Sequence, residues 1–176
     1  MTCNIKSFIL KSMEPQELLT VVKENTDNPL KLLLETLNFY KNDEGFTQDL
    51  LTPGFLKEWM VSKILNHECH KTKHGADATS LDGEEYYEYL SCKEGGSFQL
   101  DRIHKGNLHR ITRNNKFYFA LYNKNNSLEC IKIYEADTDV VLEEANKKIS
   151  KMSKSSNHIG FTLTWVKENC NIVYSI

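Results

Sequence analysis

Between residues 66 and 75 the chain changes its apolar period, and that change restricts it to folds that combine helices with a sheet. Upstream, each of three prolines stands near a helix start: Met13-Glu14-Pro15-Gln16 runs into Leu18, Leu19 and Val22. Asn28-Pro29 runs into Leu30, Leu33, Leu34 and Leu37, and Thr52-Pro53-Gly54 into Phe55, Leu56, Trp59, Met60 and Ile64. Residues 1–52 therefore read as a helical N-terminal subregion of a single 1–176 domain, and a further helix covers Gly54–Asn66. Downstream, Gly75–Ser80 and the tyrosine-rich Glu85–Lys93 flank Leu81-Asp82-Gly83-Glu84, and Asp-Gly between two such runs signals a β-hairpin. Gly95-Gly96-Ser97 ends the second strand, and Phe98–Asn107 reads as a short helix or loop. Lys116–Asn123 and Leu128–Ala136 form a second strand pair. Asp137 is placed to cap a helix over Val140–Met152 through Val141, Ala145, Ile149 and Met152. His158–Val166 is a late strand and Ile172–Ile176 an edge strand. This order predicts an α/β (α+β) domain with a mixed central β-sheet flanked by helices.

Composition narrows the class. With 176 residues, 40% of them hydrophobic and 26% charged, the chain can bury on the order of 70% of its unfolded surface without disulfides or a structural metal. Five cysteines are odd in number and form no Cys-x-x-Cys pair, and the first residues lack an apolar signal region. Both point to a reduced, cytoplasmic setting. No apolar run approaches the roughly 18 residues of a membrane span, so no membrane partner is expected. The net charge of −2 argues against general polyanion binding, but the charge is unevenly placed. Arg102, Lys105, Arg110, Arg113 and Lys116 fall in one stretch without an acid, and Lys147–Lys154 forms another. Either stretch reads as a solvated face or as a surface for an anionic ligand.

The window His74–Lys93 carries the densest chemistry. Asp77 opens one hairpin strand, while Glu88 and Lys93 lie on the next, within side-chain reach across the pair. Phosphodiester hydrolysis uses such a set: carboxylates that hold a divalent metal, and a lysine beside the phosphorane. Strand alternation divides it, however. Ser91 and Lys93 share one face and Glu88, Leu90 and Cys92 the other, so joining Glu88 to Lys93 requires a bulge near Ser91 or a carboxylate from elsewhere.

Lys57-Glu58-Trp59 on a helix, Gly75-Ala76-Asp77-Ala78 on one strand and Tyr87-Glu88-Tyr89 on the next resemble the PD-(D/E)xK nucleases, and among them the type II restriction endonucleases. The later Lys132–Ala136 and Asn157–Phe161 stretches resemble downstream strands of small restriction enzymes. The resemblance spans roughly residues 54 to 165 and departs from the pattern at Leu90, where the triplet lysine would stand. It implies a restriction-endonuclease-like core and a site-specific, Mg2+-dependent double-stranded DNA endonuclease, with Mn2+ as substitute. Asp77 and Glu88 become metal ligands, Lys93 the phosphate-side cation and Glu58 a supporting acid. Ser91-Cys92-Lys93 is the alternative triplet, completed by Glu58, Glu94 or Asp101. Arg102, Lys105, Arg110 and Arg113 become DNA contacts, and a palindromic target implies a homodimer. The rival readings are a repair or recombination nuclease without sequence specificity, and a non-catalytic DNA-binding protein with a degenerate site.

Other clusters carry less. His67, Cys69, His70 and His74 lack the second ligand pair of a zinc site and read as loop residues approaching DNA. Cys92 lacks the surroundings of a nucleophile, and Trp59 and Trp165 read as core.

Overall fold

The computed structural model describes residues 29–71, 75–151 and 158–176. The helix expected over Leu18–Val22, together with His74 and Lys154, lies outside them. Helix α1, Pro29–Glu44, follows its proline as expected, but Leu30 and Leu34 are exposed while Thr36 and Tyr40 turn inward. The reason is aromatic: the Tyr40 ring lies 5.1 Å from that of Trp59 and fixes which stripe of α1 is covered. Helix α2, Phe55–Leu65, is buried around much of its circumference, at Phe55, Trp59, Met60, Val61 and Ser62. It ends because Asn66 adopts a left-handed φ of 56°, a conformation asparagine tolerates better than most residues.

The sheet has six strands in the order β1-β2-β3-β5-β6-β8. These are Glu68–Cys69, Ala78–Thr79, Tyr86–Lys93, Lys116–Tyr122, Cys130–Asp137 and Asn171–Ser175. Only β3 and β5 run parallel, with Tyr87 opposite Lys116 and Lys93 opposite Tyr122; the remaining neighbours are antiparallel. The fold is thus mixed α/β with a mostly antiparallel central sheet flanked by helices. The central strand β5 is buried from Phe117 to Tyr122, as expected of a strand covered on both faces. Phe117, Phe119 and Leu121 point into a core shared with Leu90, Phe98, Ile111, Val141 and Phe161. Tyr118, Ala120 and Tyr122 point the other way, toward Tyr87, Tyr89 and Met60 of α2.

Three local expectations need correction. Phe98–Asn107 is neither a helix nor a loop throughout: Ser97–Asp101 forms β4, with Phe98 and Leu100 buried between exposed neighbours, and pairs antiparallel with β7, His158–Thr162. That two-step alternation is a strand signature. The late strand stops at Thr162, whose hydroxyl accepts the Trp165 backbone N–H and starts helix α5, Leu163–Asn169. Asp137 precedes helix α4, Thr138–Ile149, but makes no side-chain cap. Thr138 anchors that helix start instead, through Oγ1 to the Asn114 carbonyl at 2.6 Å. Because β3 and β5 are parallel, the chain between them must cross back along the sheet, and it does so through β4, a single 3-10 turn at Lys105–Asn107 and the short helix α3, His109–Thr112. No described helix is long and apolar enough to cross a membrane.

Candidate active site

The hairpin turn is built from side chains as well as backbone. Ser80 Oγ and Asp82 Oδ1 receive the N–H groups of Glu85 and Glu84, and Gly83 takes a φ of 79°. The turn aligns β2 with β3 so that Asp77 N–H donates to the Tyr87 carbonyl at 2.9 Å. Two residues further along β3 a side chain replaces backbone: Asp77 Oδ2 accepts the Tyr89 N–H at 2.7 Å. This substitution explains why β2 spans only Ala78–Thr79 rather than all of Gly75–Ser80. It also holds the Asp77 carboxylate at the edge of β3, next to Glu88.

The Glu88 side chain is 17% exposed, yet its Oε2 is fully buried and has no hydrogen-bond partner. A carboxylate oxygen left in that state is costly in its charged form. Burial, then the neighbouring Asp77 charge, push the Glu88 carboxyl up to about 8, with Glu58 adding to the rise and Arg113 and Arg110 opposing it. Arg113 Nη2 stands 3.6 Å from Oε2 and also donates to the Gly75 carbonyl. Glu58 lies in the first turn of α2, with Oε1 3.0 Å from where a Cβ on Gly54 would sit. Gly54, at a φ of 88°, leaves that carboxylate its room.

Asp77, Glu88 and Glu58 are therefore brought into one electrostatic group, and Arg113 joins them. Lys93 is not. The β3–β5 register continues without a shift from Tyr87 to Lys93, so no bulge turns the strand at Ser91. Five residues at ~3.3 Å each put Lys93 about 16 Å along the strand from Glu88, on the opposite face. Of the acids offered for the alternative triplet, Glu58 acts on Glu88. Glu94 accepts the Lys124 backbone N–H, and Asp101 is exposed at the end of β4, a strand of the separate two-stranded sheet.

The basic segment divides in two. Arg113 turns toward Glu88 and Lys116 pairs with Glu135 at 2.7 Å, so neither is a simple outward-facing charge. Arg102, at a left-handed φ of 56°, is exposed, and its carbonyl accepts from Asn107 Nδ2 at 2.6 Å and Arg110 Nη1 at 3.1 Å. Lys105 opens the 3-10 turn, and its side chain is not among those described. Cys69 is not a loop residue but is buried in β1; His67 does stand in the loop between α2 and β1, yet it packs 4.3 Å from the Tyr87 ring with Nδ1 2.8 Å from the Tyr89 hydroxyl. The role missed from sequence was that of Arg113 beside Glu88. Its signal was the parallel crossover, which returns the chain to the start of β3 just before β5 begins.

Comparison of the chain with protein-family models and with curated protein sequences finds no match. Among the described residues no group of three or more His, Cys, Asp and Glu side chains is arranged to hold a metal ion. Magnesium needs fewer: it keeps several waters and is commonly held by one or two carboxylates together with substrate phosphates. A buried carboxylate oxygen without a hydrogen bond, beside a second carboxylate, fits that demand.

Proposed function

We propose that this chain is a divalent-metal-dependent DNA endonuclease of the PD-(D/E)xK type, with Mg2+ held by Asp77 and Glu88. The observation that carries the reading is the buried Glu88 Oε2 beside Asp77, without a hydrogen bond and with only a 3.6 Å ion pair to Arg113. The order of α2 with Glu58, β2 after Asp77 and β3 with Glu88 agrees with what the resemblance implies for a restriction-endonuclease-like core. When bound, the ion supplies activation of a water molecule and charge compensation at the scissile phosphate. Glu88, which holds its proton in the metal-free fold, would bind such an ion as the carboxylate. Asp77, fixed by the Tyr89 N–H, keeps the site edge in place. Arg113 supplies the cation at the phosphate that Lys93 is too distant to provide, and Arg110 reinforces it. Arg102 and Arg110 lie on the exposed side of the crossover and suit contacts to a duplex, and two copies of the chain would cut the two strands of a palindromic site.

A second reading has its own support: Leu90 occupies the lysine position of the triplet, as in a DNA-binding protein that has lost its activity. Incubating supercoiled plasmid with and without Mg2+ separates the possibilities. Site-specific cleavage gives discrete bands that Asp77→Ala abolishes while duplex binding persists. A smear would indicate a nuclease without sequence specificity. Binding without any cleavage would overturn the catalytic proposal.

A further inference from the structure

Lys93, excluded from the carboxylate group, meets a different partner. Lys57 projects from the first turn of α2 with Nζ 4.3 Å above the centroid of the Tyr122 ring. Tyr122 is the register partner of Lys93 across the parallel pair. Along β3, Lys93 falls on the same face as Tyr87 and Tyr89, the face against which α2 packs. Two ammonium groups therefore converge at the C-terminal ends of β3 and β5. Among the described residues neither forms an ion pair. Lys63, Lys116, Lys147 and Lys148, by comparison, each meet a carboxylate. Burial first, and then the Lys93 charge, hold its ammonium below the ordinary lysine value.

Holding two like charges together costs free energy that a bound anion recovers. Tyr122 beneath them is fully buried, so its ring forms a rigid floor and Lys57 is positioned by a cation–π contact rather than left free. Lysine serves as a point charge for phosphate, without the planar matching that arginine requires.

We infer that Lys57 and Lys93 form a phosphate seat at the C-terminal ends of β3 and β5, above the buried Tyr122 that positions Lys57, separate from the Asp77–Glu88 group and suited to a backbone phosphate of the nucleic acid strand. The inference rests on the nuclease reading for its preferred source of phosphate, while the seat itself needs only the two lysines. The seat also gives Lys93 a role in affinity rather than in bond breaking.

The test uses the full chain with Ca2+ in place of Mg2+. Binding of a fluorescein-labelled duplex is titrated by anisotropy across a series of salt concentrations for wild type, Lys57→Gln, Lys93→Gln and the double variant. Inorganic phosphate is titrated calorimetrically in parallel, and circular dichroism verifies each fold. Loss of the seat's single phosphate contact in the double variant should flatten the slope of log K against log salt by roughly 0.9, with each single variant between that and wild type. Wild-type affinity and slope in the double variant overturn the seat, whether or not Mg2+ supports cleavage. A flattened slope in the double variant with no cleavage by wild type upholds the seat and rejects the nuclease reading. Phosphate binding that the double variant loses, without duplex binding by wild type, assigns the seat to small anions. Absence of both rejects it.

Discussion

Replacing Glu88 with glutamine should stabilise the metal-free protein at alkaline pH. In the unfolded chain the carboxyl ionises near 4.5, whereas in the fold it holds its proton up to about 8. Between those values the folded state binds more protons than the unfolded state, so stability falls as pH rises through the window and levels off above it. At 1.36 kcal/mol per pH unit the interval sets an upper limit of roughly 5 kcal/mol on the loss. For a chain of this size that corresponds to roughly 10–20 °C in Tm. Glutamine has the same shape and no charge to desolvate, so Glu88→Gln removes this loss. Thermal unfolding followed by circular dichroism in EDTA, at intervals from pH 5 to 9, gives the difference between the two proteins. The Tm advantage of the variant should be small at pH 5 and grow toward pH 9. Parallel curves for the two proteins would refute the burial argument, because Glu88 would then titrate alike in the folded and unfolded states.

The partners of Glu88 should move its titration in opposite directions. Arg113→Ala removes the nearest cation and should raise the midpoint of the Glu88 carboxyl carbon in a 13C NMR titration, while Asp77→Asn should lower it; midpoints that stay in place would reject the grouping. Phe119 is fully buried, within 6.0 Å of the rings of Phe98, Phe161 and Trp165, so Phe119→Ala should cost about 3–5 kcal/mol in urea unfolding. A loss below about 1 kcal/mol would mean that the β4–β7 layer is not packed on the central sheet as described.

What the sequence made legible was chiefly local. The Asp82-Gly83 turn, the tyrosine-rich β3 and the continuous apolar run of β5 each carry their own signal in composition and period. The exposed β4 alternation was overlooked because Phe98 and Leu100 offer only two apolar positions, too few to separate period two from a helical turn. At Thr162 a side-chain hydroxyl cuts a strand short, and hydropathy does not register that. The face division of β3 correctly separated Glu88 from Lys93, since it depends only on strand geometry. Which cations would then approach each group depended on long-range pairing. Arg113 reaches Glu88 through the crossover, and Lys57 reaches Lys93 through the packing of α2, contacts between residues 25 and 36 positions apart that no local pattern encodes.

The carboxylate pair as a metal seat is the claim on which the nuclease reading depends, and metal uptake tests it without relying on a DNA sequence. Mn2+ is titrated into the protein by calorimetry at pH 6.5 in two buffers of different ionisation enthalpy. Because Glu88 holds its proton there before the metal enters, binding of one ion per chain should release close to one proton, and both uptake and release should disappear in Glu88→Gln and Asp77→Ala. Absence of uptake by the wild-type protein, or uptake that persists in both variants, would contradict the account.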